Sequence, residues 1–90
     1  MKPVIVRTYS AGVHYGYLEK REGKEVHLVK SRRLWYWEGA NTLSEVATAG
    51  VAKKGCKLGA PISVVLTEAI EIIDCSAEAS AQLDDYAPWK

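Results

Sequence analysis

The chain has 90 residues, a formal net charge of +1 from 12 basic and 11 acidic side chains, and an apolar fraction of 48%. This length supports one domain with a thin core, and so balanced a charge excludes a protein that coats extended nucleic acid nonspecifically. No apolar run approaches the ~20 residues that cross a bilayer and the first residues do not resemble a signal peptide, so we expect a cytoplasmic protein without membrane contact.

The first part of the chain predicts a three-stranded meander. Three runs rich in β-branched and aromatic residues favour strands, at residues 4–9, 13–21 and 25–37. Gly12 can supply the positive φ of the first turn, and Gly23 lies in the middle of the second. The third predicted strand is long enough to bend or bulge around Ser31 and Arg32.

A helix is predicted after the meander. Residues 38–41 end the third strand, and Thr42 and Glu45 match a capping box. The helix runs for about two turns to Gly50, whose freedom at positive φ makes it a plausible stop. Residues 51–61 are predicted to form a loop.

The last part of the chain predicts two further strands and a short helix. The strands cover residues 62–66 and 68–74, with a helix over 66–73 as the alternative, and Ser76 caps a helix over 77–83. The fold is therefore α+β, a small antiparallel sheet that stays open or curls into a partial barrel. We expect one domain over residues 1–83 and a tail over 84–90, disordered or docked through Trp89.

Residues 32–42 hold the strongest candidate for a binding site. Arg32 and Arg33 offer planar, charged forks that suit phosphate. Alternation along a strand predicts that Trp35 and Trp37 share one face and that Tyr36 shares the other with Leu34, so one face packs on the core and the opposite face can stack on a base. The free N–H groups at the start of the following helix favour an anion. The candidate ligand-binding residues are Arg32, Arg33, Trp35, Tyr36, Trp37, Asn41 and Thr42, with Tyr15, Tyr17, Lys53 and Lys54 as support.

The same residues also have purely structural interpretations. The three aromatic residues suit a core or a contact between subunits, and homo-oligomerisation would stabilise so small a domain. Arginines on a strand edge discourage aggregation, and Asn41 and Thr42 are ordinary helix caps. Lys53 and Lys54 suit a solvated loop.

The histidines and cysteines do not form a recognisable reactive group in the sequence. Their spacing matches no zinc pattern, which uses close pairs, and Cys56 and Cys75 are expected to be free thiols. We therefore predict no metal, no cofactor and no catalytic residue. Binding of an anionic nucleotide-type molecule without turnover is the favoured function, and a surface for protein partners is the alternative.

Four segments, at residues 11–18, 32–40, 56–57 and 66–75, resemble a family of small tailed-phage and prophage proteins of uncharacterised function. The RRLWYWEGA block of residues 32–40 is the most specific of them, and Asp74 departs from a proline in the family pattern. The resemblance implies a phage accessory protein made in the cytoplasm of a bacterial host. Small phage proteins of this kind include inhibitors of host defence that sequester nucleotide signals, which extends the prediction to a counter-defence binder by analogy of context.

Overall fold

The computed structural model describes residues 1–89, which form six strands and two helices. The elements in chain order are β1 (Lys2–Thr8), β2 (Val13–Glu22), β3 (Glu25–Tyr36), α1 (Leu43–Ala49), β4 (Lys57–Leu58), β5 (Ile62–Leu66), β6 (Ala69–Asp74) and α2 (Ala77–Asp85). Lys90, the last residue of the predicted tail, lies outside the described residues.

All six strands belong to one antiparallel sheet. Its order is β4-β3-β2-β1-β6, and β5 pairs with the first part of β3. The first three strands form the predicted meander, and both of its turns contain a glycine at positive φ, Gly12 at 81° and Gly23 at 58°. The α+β prediction is confirmed, and the sheet is open, without closure into a barrel.

Strand β1 lies at the centre of the molecule because both of its faces are covered. Val4, Ile5 and Val6 are all fully buried. Ile5 belongs to the first core, which lies under the two helices and whose other fully buried members include Tyr15, Val46, Leu58 and Leu83. Val4 and Val6 belong to the second core, on the opposite face, whose remaining members are Val26, Leu28 and Leu66. Since the members of the second core all lie on strands, curvature of the sheet buries this face.

A bulge in β3 reverses the direction of its side chains halfway along. Lys30 has a φ of 51°, and β3 has one more residue than β2 between two successive ladder pairs. Leu28 therefore points into the second core and Leu34 into the first. Gly16 lies opposite the bulge, where a Cβ atom would be 3.0 Å from the Cα of Ser31. Of the bend or bulge expected near Ser31 and Arg32, the structure has a bulge.

Local capping fixes both helices where the sequence predicts them. Thr42 precedes α1, Gly50 ends it at a φ of 82°, and Ser76 precedes α2 with its hydroxyl accepting the N–H of Ala79 at 3.0 Å. Helix α2 continues to Asp85, so its last two residues lie within the predicted tail.

Two predictions for the second half of the chain differ from the structure. The predicted loop over residues 51–61 contains β4, a strand of two residues that pairs with the end of β3. Residues 66–73 are not helical, because the chain turns at residues 67 and 68 and continues as β6 along β1. The prediction of two strands in this region is confirmed.

Candidate functional site

Four side chains form a column on the surface, with two aromatic rings in the middle and a cation at each end. The guanidinium carbon of Arg33 lies 5.2 Å from the ring centroid of Trp35, and the Nζ of Lys57 lies 5.0 Å from the ring centroid of Trp89. The two tryptophan centroids are 6.0 Å apart, with the rings tilted by 58°. We call these four residues the Trp35–Trp89 patch. Its tryptophans are 56% and 47% exposed, so each ring presents a large part of its surface to solvent.

The strands position the patch through their buried neighbours. Leu34 on β3 pairs with Leu58 on β4, and both side chains are buried in the first core. Because side chains alternate along a strand, Arg33 and Trp35 project from the opposite face. The backbone N–H of Trp89 donates to the carbonyl of Leu58 at 2.8 Å, which holds the C-terminal segment beside β4. Of the two alternatives expected for this segment, disorder or docking through Trp89, the structure has the second.

A depression of about 320 Å³ adjoins the patch, between Arg33, Leu34 and Trp35 and the β1–β2 turn of residues 10–12. Thr8 holds this turn, because its hydroxyl donates to the carbonyl of Gly12 at 2.8 Å. The ring nitrogen Nε2 of His14 lies 2.9 Å from the carbonyl oxygen of Ala11. His14 is only 1% exposed, so a buried side chain supports the wall of the depression from behind.

The patch carries positive charge that no carboxylate neutralises among residues 1–89. Neither Arg33 nor Lys57 takes part in any contact between basic and acidic side chains in that part of the chain. Those contacts are the ion pairs Lys2–Asp74, Arg7–Glu71 and Lys20–Glu22, and the hydrogen bond between His27 and Glu25. Two cations beside two exposed aromatic rings suit a ligand that combines an anionic group with a flat ring.

Arg32, the first arginine of the predicted site, is a core residue. It is 2% exposed, and its Nε and Nη1 donate to the carbonyls of Gly59 and Leu83, both at 2.7 Å. Burial lowers its pKa, and the nearby carboxylate of Asp84 opposes that shift. Of the two adjacent arginines, only Arg33 therefore reaches the patch.

Tyr15 and Tyr17 lie on the opposite face of the sheet from the patch, against α2. Their hydroxyls donate to the two carboxylate oxygens of Asp84 at 3.0 and 2.5 Å. Burial raises the pKa of Tyr15, and its hydrogen bonds act in the same direction. These two tyrosines attach α2 to the sheet, and the structure does not bring them together with Arg33 and Trp35.

The predicted alternation of the aromatic segment fails at Trp37. This side chain packs against the first core, whereas Trp35 is exposed on the other face and contacts Trp89. The reason is that β3 ends at Tyr36, so the chain leaves the extended conformation before Trp37. Tyr36 is 48% exposed and lies at the strand end, outside the patch.

The start of α1 is occupied by its own side chains. The hydroxyl of Thr42 accepts the N–H of Glu45 at 3.2 Å, and a carboxylate oxygen of Glu45 accepts the N–H of Asn41 at 3.4 Å. The helix has only seven residues, and its first turn already contains an acid. Thr42 thus serves as the N-cap, and Asn41 contributes its backbone N–H. Lys53 and Lys54 are exposed in the loop before β4.

Lys57 and Trp89 complete the patch but were not among the predicted site residues. Lys57 lies in the predicted loop of residues 51–61, and its place opposite Tyr36 follows from the pairing of β4 with β3. The sequence signal for Trp89 was a large aromatic residue in an otherwise polar C-terminal segment, which is uncommon unless the ring docks. That signal gives no indication of where the ring docks.

Other reactive side chains of the described chain lie apart from the patch. Burial raises the pKa of Cys75 to about 12, which keeps its thiol protonated. Cys56 is also a free thiol, and its sulfur accepts the N–H of Glu38 at 3.3 Å. Residues 1–89 contain no group of three or more His, Cys, Asp or Glu side chains that could hold a metal ion. None of the helices described is long and apolar enough to span a membrane.

The buried side chain of His14 is expected to make the free energy of unfolding fall on acidification. Burial lowers its pKa below 6.5, and the charge of Arg33 acts in the same direction, against the hydrogen bond to Ala11. Because the pKa of His14 is lower in the folded than in the unfolded chain, the unfolded chain binds the proton first as the pH falls. The free energy of unfolding is highest above the unfolded pKa, and part of it is lost as the pH falls through the folded pKa. The loss is about 1.4 kcal/mol for each unit by which folding lowers the pKa. We expect His14→Gln, measured by urea unfolding at about pH 7.5 and about pH 5, to reduce this loss.

The control for this measurement is His27→Gln, which removes the other histidine of the chain. His27 bonds to Glu25 on the hairpin and does not touch the β1–β2 turn. If His14→Gln loses as much free energy of unfolding on acidification as the unmodified protein does, His14 does not carry the effect.

The chain belongs to the family described as Domain of unknown function (DUF6948), whose family model matches residues 1–83. The matched residues include three members of the patch and end before Trp89. No curated protein and no solved structure is significantly similar to the chain. The description of the family gives no activity, so the function has to be argued from the geometry of the patch.

Proposed function

We propose that this member of the family binds an anionic nucleotide-type molecule at the Trp35–Trp89 patch and holds it without converting it. The observation that carries the proposal is the column of Arg33, Trp35, Trp89 and Lys57, with both rings about half exposed and both cations outside any ion pair of residues 1–89. Exposed tryptophan surface is costly in water, and a ligand ring that covers it recovers part of that cost.

Stacking on the tryptophans would hold the base. Each base stacked on an aromatic side chain contributes about 1–3 kcal/mol. The tilt of 58° leaves the two rings without a parallel stack between them. A ring inserted between them needs about 7 Å, since each van der Waals contact takes ~3.5 Å. The two centroids are 6.0 Å apart and the rings are tilted, so insertion of a base would require the C-terminal segment to move the ring of Trp89 away from Trp35 and to turn it parallel to that ring.

The two cations would hold the phosphate. Arg33 provides a planar fork that can bond two phosphate oxygens, and Lys57 provides a point charge at the other end of the column. Two cations suit one or a few phosphates and not a long strand, in agreement with the small net charge of the whole chain. A mononucleotide or a small linear or cyclic dinucleotide is the class of ligand that fits.

Sequestration is the role that we infer for this binding. The four residues of the patch include no carboxylate, imidazole or thiol that could act as a general base or nucleophile. The resemblance to small phage and prophage proteins favours a counter-defence binder that acts in the cytoplasm of a bacterial host and withdraws a nucleotide signal. Release of the molecule unchanged is the property that distinguishes such a binder from an enzyme.

The proposal predicts that a nucleotide raises the melting temperature of the unmodified protein and that Arg33→Ala abolishes this increase. The purified protein is heated with a panel of linear and cyclic mono- and dinucleotides, and the same samples are weighed by native mass spectrometry. We expect one class of nucleotide to raise the melting temperature and to form an adduct of unchanged ligand mass. Trp35→Ala should weaken the dissociation constant about 5- to 150-fold, the equivalent of one lost stacking contact.

Two control variants keep the test specific. Trp35→Phe retains a flat ring and should retain most of the affinity that Trp35→Ala loses. Arg21→Ala removes one positive charge from an exposed position on the β2–β3 hairpin, remote from the patch in the sheet, and should bind like the unmodified protein. Equal affinity in Arg33→Ala and Arg21→Ala, or a ligand that is released chemically altered, would contradict the proposal.

A docking surface for another protein is the second candidate, and the exposure of Tyr36 favours it. Tyr36 follows Trp35 at the end of β3, and both side chains are about half exposed, on opposite faces of the strand, so a partner that wraps around the strand end would contact both. Exposed aromatic residues are common anchors of protein interfaces, and the charge of Arg33 would then face an acidic group of the partner. A partner that is lost in both Trp35→Ala and Tyr36→Ala, together with no shift from any nucleotide, would establish this function instead.

A further inference from the structure

Strand β5 has one edge that no other part of the described chain covers. Its residues Ile62–Leu66 pair with β3 along one side. Among residues 1–89, no backbone hydrogen bond reaches its other side. An uncovered row of N–H and C=O groups is a template on which another strand can pair.

The second free edge of the sheet, β6, is protected by charge. Glu71 and Asp74 lie on this strand and form ion pairs with Arg7 and Lys2 of β1, at 3.3 and 3.0 Å. Charged side chains on an edge oppose pairing with another strand, because the pairing would have to desolvate them. The sequence of β5, ISVVL, contains no charged residue. The β6 edge therefore carries charged side chains that oppose pairing with another strand, and the β5 edge carries none.

We propose that a second copy of this chain pairs with β5, strand against strand and antiparallel, about a twofold axis near Val64. In this register Ile62 of one copy faces Leu66 of the other, and the two Val64 side chains face each other. In such a twofold contact a charge at Val64 would meet its like, and a charge elsewhere on β5 would be buried against an apolar residue of the other copy. The absence of charge makes β5 compatible with itself.

Exposed apolar side chains on β5 support the same contact. Ile62 and Val65 are 56% and 50% exposed, although both belong to a strand rich in aliphatic residues. Ile62 lies on the same side of the strand as Val64 and Leu66, which pack with the second core. Pairing about the twofold axis would place Leu66 of the other copy beside Ile62 and would extend the second core across both chains.

A depression of about 270 Å³ lies on the face of the sheet over β3 and β5, and its lining combines Val29, Val64 and Val65 with the polar residues Glu19, His27 and Ser63. It lies on the side of β5 that already pairs with β3, so the proposed contact uses the other edge of the strand. The β5 edge is separate from the Trp35–Trp89 patch, so the pairing does not depend on the proposed binding of a nucleotide.

A matched pair of substitutions tests the interface. Ile62→Lys places a cation on the β5 edge, and Ile70→Lys makes the same change on the β6 edge, where the isoleucine is 51% exposed. Each variant and the unmodified protein are examined by sedimentation equilibrium over a range of concentrations. We expect the unmodified protein to form dimers. We expect Ile62→Lys to weaken self-association more than about tenfold, because each dimer would bury two unpaired cations, and Ile70→Lys to leave it within about twofold.

Circular dichroism and thermal melting of the diluted variants separate loss of the interface from loss of the fold. Because both isoleucines are exposed, both variants should retain the secondary structure of the unmodified protein. A folded Ile62→Lys monomer beside an Ile70→Lys dimer would establish the contact. A monomeric unmodified protein, a larger assembly, or equal weakening by both substitutions would overturn it.

Discussion

Replacing Arg32 by alanine is expected to destabilise the fold by about 3–5 kcal/mol, a large share of the 5–15 kcal/mol that a domain typically has. The guanidinium is 2% exposed and donates to the carbonyls of Gly59 and Leu83 at 2.7 Å. Leu83 lies in the last turn of α2, where carbonyl groups have no partner within the helix. Alanine would leave both carbonyls without this donor and open a cavity between the sheet and α2.

The adjacent arginine provides the control. Arg33 is partly exposed and rests on the ring of Trp35, so Arg33→Ala should cost less than about 1 kcal/mol. Urea unfolding followed by tryptophan fluorescence and circular dichroism compares the two variants. Equal losses of free energy of unfolding would contradict the assignment of Arg32 to the core and of Arg33 to the surface.

A third variant separates lost volume from lost hydrogen bonds. Arg32→Met keeps an unbranched side chain of similar length but removes the charge and both donors. Replacement of a buried cation by an apolar residue of similar volume also removes its cost of desolvation. We therefore expect Arg32→Met to lose less stability than Arg32→Ala. A loss as large as that of alanine would indicate that the two hydrogen bonds, and not the filled volume, stabilise this region.

The sequence predicts the elements whose causes are local. A turn that needs positive φ takes a glycine, and Gly12 and Gly23 mark both hairpins. A helix start needs an oxygen acceptor, and Thr42 and Ser76 supply one each. The meander and both helices follow from such short-range requirements, which is why their positions agree with the structure.

The composition of the patch depends on contacts that the sequence does not contain. Alternation along β3 separates Arg32 from Arg33, but only the packing of α2 decides which of them is buried. The short strand β4 has little strand propensity of its own and exists because it pairs with β3. Trp89 joins Trp35 through the docking of the C-terminal segment on Leu58. The sequence therefore predicts two of the four residues of the patch, Arg33 and Trp35.

Replacing Gly39 by alanine is expected to destabilise the protein by about 2–5 kcal/mol, although this glycine lies in an exposed turn. Gly39 has a φ of 87°, and a Cβ atom there would lie 2.7 Å from the backbone nitrogen of Ala52. The same nitrogen donates to the carbonyl of Glu38 at 2.7 Å. The chain leaving β3 and the chain leaving α1 thus cross in direct backbone contact, and any side chain at Gly39 would force them apart.

Gly12→Ala isolates the part of this cost that comes from the backbone dihedral alone. Gly12 has a similar φ of 81°, but a Cβ atom there would meet no heavy atom within 4 Å. We expect this variant to lose only the ~1–2 kcal/mol of a non-glycine residue at positive φ. The excess loss in Gly39→Ala, measured by urea unfolding of both variants, is then the cost of separating the crossing chains. If both variants lose the same free energy of unfolding, the backbone near Ala52 moves aside at no cost. The contact between Gly39 and Ala52 would then not explain how the end of β3 is held beside α1.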